Sequence, residues 1–168
     1  MFKCFYPDEI QDSAYEIDYE QLYEQGYRGL LFDIDNTLVP HGAPADDRAK
    51  ALFAHLKGIG FKSCFLSNNQ IERVSSFNKD VGETFIEDAH KPSVKNYRKA
   101  MEMLGTDTSN TIFIGDQLFT DIYGAKRAGI RNILVKPIHP KEEIQIVLKR
   151  YLEKIVLHFY QKEEGKNS

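Results

Sequence analysis

The sequence reads Gly29-Leu-Leu-Phe-Asp33-Ile-Asp35-Asn-Thr37-Leu-Val39 at the point where an apolar run delivers two carboxylates and then turns. The apolar run over 30–32 is typical of a parallel strand that is buried on both faces. Asp33 is therefore expected at the carboxyl end of a strand, the edge at which open α/β sheets bind ligands. A carboxylate buried there is unfavourable by several kcal/mol unless a cation or hydrogen bonds compensate. The stretch thus indicates a metal-assisted site.

An acidic pair with this spacing also occurs in calcium-binding loops and in simple turns. An EF-hand loop begins Asp-x-Asp, but it requires Gly at the sixth position and Glu at the twelfth. This chain has Leu38 and Pro44 at those positions, so the EF-hand is excluded. The second alternative is a pair of carboxylates that only cap a turn, and it stays open until the other strand ends are considered.

The composition is that of an ordinary globular domain. The chain has 168 residues, of which 42% are hydrophobic and 28% charged, so we expect one domain with a substantial core. A net charge of -3 disfavours a nucleic-acid partner. Cys4 and Cys64 form no CxxC motif, and no apolar window is long enough for a signal peptide or a membrane span. These features favour a cytoplasmic, reduced protein.

Apolar and turn residues alternate along the chain in the pattern of an α/β protein. Five strands are predicted, at 30–32, 61–66, 83–86, 111–114 and 132–135, and amphipathic helices separate them. Right-handed crossovers between parallel strands then give a three-layer α/β sandwich with a five-stranded, Rossmann-like sheet. We expect a single domain over 1–168, made of an N-terminal extension at 1–29, a core at 30–135 and a C-terminal helix at 140–160.

The terminal helix carries apolar residues on two sides. We expect the larger stripe to pack on the sheet, and it contains Ile144, Val147, Leu148, Tyr151, Leu152, Ile155 and Phe159. The smaller set on the opposite side contains Ile146, Leu157 and Tyr160, with Lys149, Arg150 and Lys154 between. This second side suits a peripheral membrane contact or a homodimer contact, and scattered surface apolar residues are the open alternative.

Polar residues gather after the strands, where function is expected. Ser67 follows the second strand, Lys91-Pro92 precedes a helix, and Gly115-Asp116-x4-Asp121 follows the fourth strand. Together with Asp33-Ile-Asp35-Asn-Thr37, these motifs resemble the four ordered motifs of the haloacid-dehalogenase (HAD) superfamily of phosphohydrolases. The resemblance covers roughly 30–135, and four motifs in order make a chance match improbable.

The resemblance implies a magnesium-dependent phosphatase. Asp33 would be the nucleophile that forms an aspartyl-phosphate. The ligands of Mg²⁺ would be the carboxylates of Asp33 and Asp116 and the backbone carbonyl of Asp35. Lys91 would add a second positive charge beside the phosphate, which counters the repulsion among the carboxylates.

The remaining motif residues would support the same reaction. Asp35 is the candidate general acid and base, and Thr37 should hold it by a hydrogen bond. Ser67 is expected to bind a phosphate oxygen, and Asn68 and Asn69 either contact the substrate or cap the next helix, for which Asn69 with Glu72 forms the cap pattern. Asp121 should orient Lys91 or a metal-bound water rather than bind the metal directly.

The intervals between the motifs leave no room for a cap domain, so the site should be open. Within the capless members, the chain is similar to the YqeG-like subfamily, whose relatives include phosphatidylglycerophosphate phosphatases. That similarity implies a phosphomonoester on a lipid headgroup as the substrate, and attachment at the inner face of the membrane. A polynucleotide-end or small-metabolite phosphatase, or a non-catalytic binding protein on a HAD fold, is the alternative.

Overall fold

Six short segments form one parallel β-sheet in the computed structural model, which describes residues 2–139 and 144–167, with side chains of the latter range from 148 onward. In chain order the strands are β1 (Glu9–Gln11), β2 (Gly29–Phe32), β3 (Lys62–Leu66), β4 (Thr84–Ile86), β5 (Thr111–Gly115) and β6 (Arg131–Val135). Their order across the sheet is β1-β6-β5-β2-β3-β4. The predicted α/β architecture is confirmed, with six strands in place of five.

The additional strand comes from the N-terminal extension. β1 pairs in parallel with β6, so that Glu9 lies opposite Ile133. The Asp8 carboxylate accepts hydrogen bonds of 3.0 Å from the backbone and side-chain amides of Asn132, which fixes the register. The strand has only three residues and no apolar run, so the sequence pattern that reveals buried strands could not reveal this edge strand.

Helices cover both faces of the sheet, as a three-layer sandwich requires. Phe32 of β2 belongs to a buried cluster with Phe53 and Phe77, whereas the preceding Leu31 belongs to a second cluster that contains Tyr97. Successive strand residues therefore serve opposite layers. The α-helices are α1 (Tyr19–Glu24), α2 (Asp47–Ile59), α3 (Ile71–Asn78), α4 (Val94–Leu104), α5 (Tyr123–Arg127) and α6 (Ile144–Asn167).

The side of α6 that faces the protein interior is opposite to the side that was predicted to do so. The expected stripe is exposed instead: Leu148, Tyr151, Leu152 and Ile155 have exposed fractions of 61%, 64%, 46% and 39%. The buried side holds Glu153 and Val156, which are 6% and 3% exposed. The prediction that this stripe covers the sheet is wrong, because the charged contacts described below fix the other face.

The C-terminal half of α6 packs on aromatic residues near the N-terminus. Tyr160 contacts Tyr6 edge to face, with ring centroids 5.0 Å apart, and Phe159 contacts Phe2 at 5.9 Å. Leu157 packs against the buried cluster that contains Leu118, Ile122, Leu134 and Val156. The side chains of Ile144, Ile146 and Val147, and residues 140–143, lie outside the described part. Within that part, no helix is long and apolar enough to cross a membrane.

Candidate active site

The parallel register brings the predicted motif residues to one edge of the sheet. Phe32 of β2 lies opposite Ile114 of β5, and the Asp33 amide donates to the Ile114 carbonyl at 3.0 Å. Asp116 follows β5 directly, so it lies beside Asp33. On the other side of β2, Ser67 follows β3. The strand ends therefore converge at the switch point of the strand order, where such sheets bind ligands.

Lys91 joins two buried carboxylates. Its Nζ donates to Asp33 Oδ1 at 2.9 Å and to Asp121 Oδ1 at 2.7 Å, and its side chain is only 2% exposed. Burial lowers the pKa of Lys91, but the charges of Asp121 and Asp33 outweigh burial and raise the pKa above its ordinary value. The charged form of Lys91 is therefore favoured, and its ammonium holds the Asp33 and Asp121 carboxylates by hydrogen bonds.

The carboxylates of this edge crowd one another. One oxygen each of Asp33, Asp116 and Asp121 lies within 4.8 Å of the others, and all three residues are buried. Burial and the charges of the other two carboxylates raise the pKa of Asp116 well above its usual range. Burial, with the Asp33 charge, raises the pKa of Asp121 to about 6, although Lys91 opposes the rise. We call these three residues the acidic cluster.

Gly115 allows this close approach. A Cβ atom at Gly115 would lie 2.5 Å from Asp121 Oδ2, so a larger residue there would displace the carboxylate. The same Oδ2 accepts the Gln117 amide at 3.1 Å, while Oδ1 is bound to Lys91. Both oxygens of Asp121 thus serve to fix the loop and the lysine, which suits the orienting role expected for this residue.

The Thr37 hydroxyl contacts Asp33 and Asp116, whereas a hydrogen bond to Asp35 was expected. Its hydroxyl lies 3.1 Å from Asp116 Oδ1 and 3.4 Å from Asp33 Oδ2. The expectation that it holds Asp35 is therefore wrong. The turn after Asp33 points the hydroxyl back into the acidic cluster, where it bridges the loops after β2 and β5.

A second cation reaches the acidic cluster from α6. Arg150 donates through Nη2 to Asp116 Oδ2 at 2.5 Å and through Nη1 to the Asp116 carbonyl at 2.7 Å. Glu153 accepts from Arg150 at 3.1 Å and from the Leu118 amide at 3.0 Å. These contacts explain why the charged face of α6 is turned inward.

Asp35 lies outside the acidic cluster despite its position two residues after Asp33. Its Oδ1 accepts the Gly42 amide at 2.7 Å and Arg73 Nη2 at 2.9 Å, and its Oδ2 accepts Asn69 Nδ2 at 2.7 Å. Asn36 between the two acids adopts a left-handed conformation with φ of 63°, which turns the chain after the strand. The two acids consequently have different neighbours.

The loop after β3 supports Lys91. Asn68 Oδ1 accepts the Lys91 amide at 2.8 Å, and Asn68 Nδ2 donates to the Lys91 carbonyl at 3.2 Å. Asn68 thus positions the backbone of Lys91 through both its side-chain oxygen and its side-chain nitrogen. The Ser67 hydroxyl accepts the Asn69 amide at 3.1 Å. Asn69 does not cap α3, because Gln70 precedes the helix and the Asn69 side chain is bound to Asp35.

The donor set fits a hard divalent cation. Lys91 and Arg150 bring two positive charges to four buried carboxylates, the three of the acidic cluster and that of Glu153, which leaves two formal negative charges in a buried site. An uncompensated buried charge is unfavourable by several kcal/mol. Carboxylate oxygens are the ligands that Mg²⁺ prefers. Asp33 and Asp116 could therefore hold this ion, with Asp121 beside them bound to Lys91 and any contribution of Asp35 limited to its backbone carbonyl.

Sequence reasoning missed Arg73, Arg150 and Glu153 as site residues, and it named Asn69 without its contact to Asp35. Arg73 and Asn69 bind Asp35 from the loop and first turn after β3. No motif spacing marks them. The sequence did contain a feature that could have revealed Arg150. It lies three residues before Glu153, and both share one face of the helix with Val156. A charged pair on the face that also carries a buried valine indicates an internal partner.

Comparisons with known proteins agree with this geometry. A family model described as HAD-hydrolase-like matches residues 89–143. The chain is 35% identical to "Probable phosphatase YqeG" of Bacillus subtilis (strain 168), over 92% of this chain and 91% of that protein. It is 28% identical to "Phosphatidylglycerophosphate phosphatase 1, chloroplastic/mitochondrial" of Arabidopsis thaliana, over 86% of this chain and 47% of that protein.

A solved structure shows the same fold. The crystal structure of an uncharacterized protein from Listeria monocytogenes serotype 4b matches with a TM-score of 0.55 and 20% identity, over 70% of this chain and 84% of that one. At that identity the likeness concerns the fold alone. It supports the arrangement of strands that brings the motif loops together.

Proposed function

Since the chain belongs to the HAD-like phosphatases, in the family of YqeG, we propose that it is a Mg²⁺-dependent phosphomonoester hydrolase with Asp33 as the nucleophile. The observation that supports this proposal is the acidic cluster at the carboxyl edge of the sheet, with Lys91 bound to Asp33 at 2.9 Å. A fixed carboxylate beside a fixed cation suits attack on a phosphate group.

The first step forms an aspartyl-phosphate. A carboxylate oxygen of Asp33 attacks phosphorus, and the bond between phosphorus and the ester oxygen breaks. Asp35 gives a proton to the departing oxygen, so the product leaves as an alcohol. Asp35 is 9% exposed, and Arg73 and Asn69 fix the orientation of its carboxylate.

The second step restores Asp33. Asp35, now ionised, takes a proton from water, and the water oxygen attacks phosphorus. The bond between phosphorus and the Asp33 oxygen breaks, which releases inorganic phosphate. One carboxyl group thus acts as acid and then as base.

Positive charge is required throughout, because a phosphate dianion enters a site rich in carboxylates. Lys91 supplies a fixed charge at this position. Mg²⁺, when bound to Asp33 and Asp116, would supply two further positive charges beside the phosphate oxygens. Ser67 is the proposed donor to a non-bridging oxygen, while Asp121 keeps Lys91 in place.

The substrate that we propose is a phospholipid phosphomonoester of the phosphatidylglycerophosphate type. The support is the similarity to the Arabidopsis phosphatase over 86% of this chain. A polynucleotide end is disfavoured by the net charge of -3, because nucleic-acid sites depend on clustered basic residues. A lipid substrate also requires that the protein approach a membrane surface.

A substrate panel tests this function. Purified protein is incubated with phosphatidylglycerophosphate in detergent micelles, with small soluble phosphoesters and with phosphorylated oligonucleotides, each with Mg²⁺ or with EDTA. We expect Mg²⁺-dependent phosphate release with the highest kcat/KM on the lipid, and no release by Asp33→Asn. Circular dichroism checks that the variant is folded. Release by Asp33→Asn at the wild-type rate would refute the mechanism, and a preference for another substrate would refute the lipid assignment.

A further inference from the structure

The outer face of α6 carries a continuous apolar stripe. Leu148, Tyr151, Leu152 and Ile155 follow the i, i+3, i+4, i+7 spacing of one helix face, and each is at least 39% exposed. Among the described residues, seven large hydrophobic side chains are exposed, and four of them lie in this stripe. Single exposed apolar residues are ordinary, but such a concentration marks an interaction site.

The stripe cannot turn inward to cover itself. Arg150 and Glu153 fix the inner face of α6 through Asp116 and Leu118, and Val156 is already buried in the cluster beneath. Rotating the helix would break these contacts and leave buried charges without partners, which is strongly unfavourable. The apolar stripe is therefore a permanent feature of the surface.

The charges around the stripe identify the partner. Lys149 and Lys154 are exposed and lie on either side of the stripe, and Lys162 lies in line with it two turns after Ile155. Over 148–162, the part of α6 that carries the stripe and these lysines, the one acidic residue is Glu153, which is buried; Glu163 and Glu164 follow in the last turns of the helix. An apolar helix face bordered by lysines is typical of helices that lie in the headgroup region of anionic membranes.

A second copy of the chain fits this surface less well. An isologous contact would place the same lysine-bordered stripe on both partners. No exposed carboxylate of the helix segment 148–162 would then be available to pair with the lysines. Charge complementarity therefore favours an anionic bilayer.

A groove lies beside the stripe and reaches Asp116 of the acidic cluster. It has a volume of about 550 Å³ and runs between α6 and the end of β6. Leu134, Pro137 and Leu157 are among its apolar lining residues, Tyr151 and Lys154 line it next to the stripe, and Asp116 lines it at the site. A bilayer against the stripe would thus have lipid headgroups next to this groove.

We propose that α6 docks on an anionic phospholipid bilayer through Leu148, Tyr151, Leu152 and Ile155, and that Lys149 and Lys154 contact the headgroups. The docked helix presents the groove, and with it the Asp116 side of the acidic cluster, to the membrane surface. This inference deepens the proposed function, and it rests on the proposal there that the substrate is a lipid.

Sedimentation with vesicles tests the docking face. Wild-type protein and Leu152→Asp/Ile155→Asp are mixed with vesicles of phosphatidylcholine alone or with an equal amount of phosphatidylglycerol. We expect wild type to bind the anionic vesicles, with weaker binding in high salt, and the variant to lose binding on the order of tenfold or more. The variant should hydrolyse a soluble phosphoester at the wild-type rate, but lipid in vesicles more slowly.

Ile71→Asp/Met103→Asp is the matched control, because these side chains are 43% and 47% exposed elsewhere on the surface. The control should bind vesicles like wild type. Equal binding by both double variants would overturn the docking face. A wild-type dimer in light scattering that becomes monomeric in Leu152→Asp/Ile155→Asp would assign the stripe to a second copy and overturn the membrane proposal.

Asp33→Asn separates this inference from the proposed function. It should sediment with anionic vesicles like wild type and hydrolyse nothing, since docking and chemistry use different residues. Hydrolysis by Asp33→Asn would refute the proposed function and leave the docking face standing. Wild-type protein that hydrolyses soluble esters but does not sediment would refute the docking face alone.

Discussion

Asp33 and Asp35 lie two residues apart in one loop, yet their surroundings differ. Asp33 is bound to Lys91 and lies against Asp116 and Asp121 in the acidic cluster. Asp35 is bound to Arg73, Asn69 and the Gly42 amide, and its carboxylate is not a member of the cluster. The left-handed turn at Asn36 separates the two environments.

This difference shows how one short motif can provide two functions. The carboxylate among other acids needs cations, so it is suited to bind Mg²⁺ and to meet a phosphate beside them. The carboxylate among amides and a guanidinium lies outside the acidic cluster, so we assign it the proton transfers to the leaving group and from water rather than a metal contact. Pairs of acids with contrasting environments commonly divide their work in this way.

Asp35→Asn tests the contrast most strongly. We expect turnover to fall by roughly 10²–10⁴-fold, because the amide cannot transfer a proton. Mg²⁺ affinity should stay close to that of wild type, because the Asp35 carboxylate lies outside the acidic cluster. Steady-state kinetics with a soluble phosphoester and a Mn²⁺ titration followed by electron paramagnetic resonance measure the two quantities.

Asp116→Ala is the matched control for that experiment, and it should lose metal affinity together with turnover. If Asp35→Asn loses metal affinity as Asp116→Ala does, the division of roles between the two environments is wrong.

Arg150→Met should have a smaller effect, on the metal affinity of the acidic cluster. Arg150 holds both the carboxylate and the carbonyl of Asp116, and residues that orient metal ligands typically affect metal affinity by about 10–100-fold. We therefore expect Mn²⁺ affinity to fall within that range in the absence of any substrate. Arg150→Lys should recover only part of the affinity, because an ammonium cannot make the two-pronged contact.

Lys149→Met provides the control on the same helix, since Lys149 is exposed. Its Mn²⁺ affinity should equal that of wild type. Affinity that is unchanged or increased in Arg150→Met would show that the arginine does not position Asp116 for the metal.

The grouping of the acidic cluster with Lys91 could be predicted from the sequence to a large extent. Asp33, Asp116 and Lys91 each follow or precede a strongly patterned element, and the parallel sheet brings such positions together. The HAD resemblance then predicted their grouping. The direction of the Thr37 hydroxyl and the contacts of Asn68 with Lys91 could not be predicted, because they depend on loop conformations that no pattern specifies.

The orientation of α6 shows a different limit. Apolar periodicity predicts that the larger stripe faces the core, which is the usual outcome for a helix on a sheet. Here the partner beneath the helix is charged: Asp116 needs Arg150, and the Leu118 amide needs Glu153. A pattern of hydrophobic residues contains no information about that partner. The prediction of which face of α6 is buried was therefore wrong where the helix contacts the acidic cluster.

The identity of the nucleophile is tested most directly by trapping the intermediate. Protein is mixed with acetyl phosphate and Mg²⁺, and the aspartyl-phosphate formed on the protein is reduced with borohydride. The peptide that contains both Asp33 and Asp35 is then sequenced by mass spectrometry. The account predicts homoserine at position 33, and a larger yield in Asp35→Asn because hydrolysis of the intermediate is slowed. Homoserine at position 35, or an unmodified peptide in both proteins while phosphate is released, would contradict it.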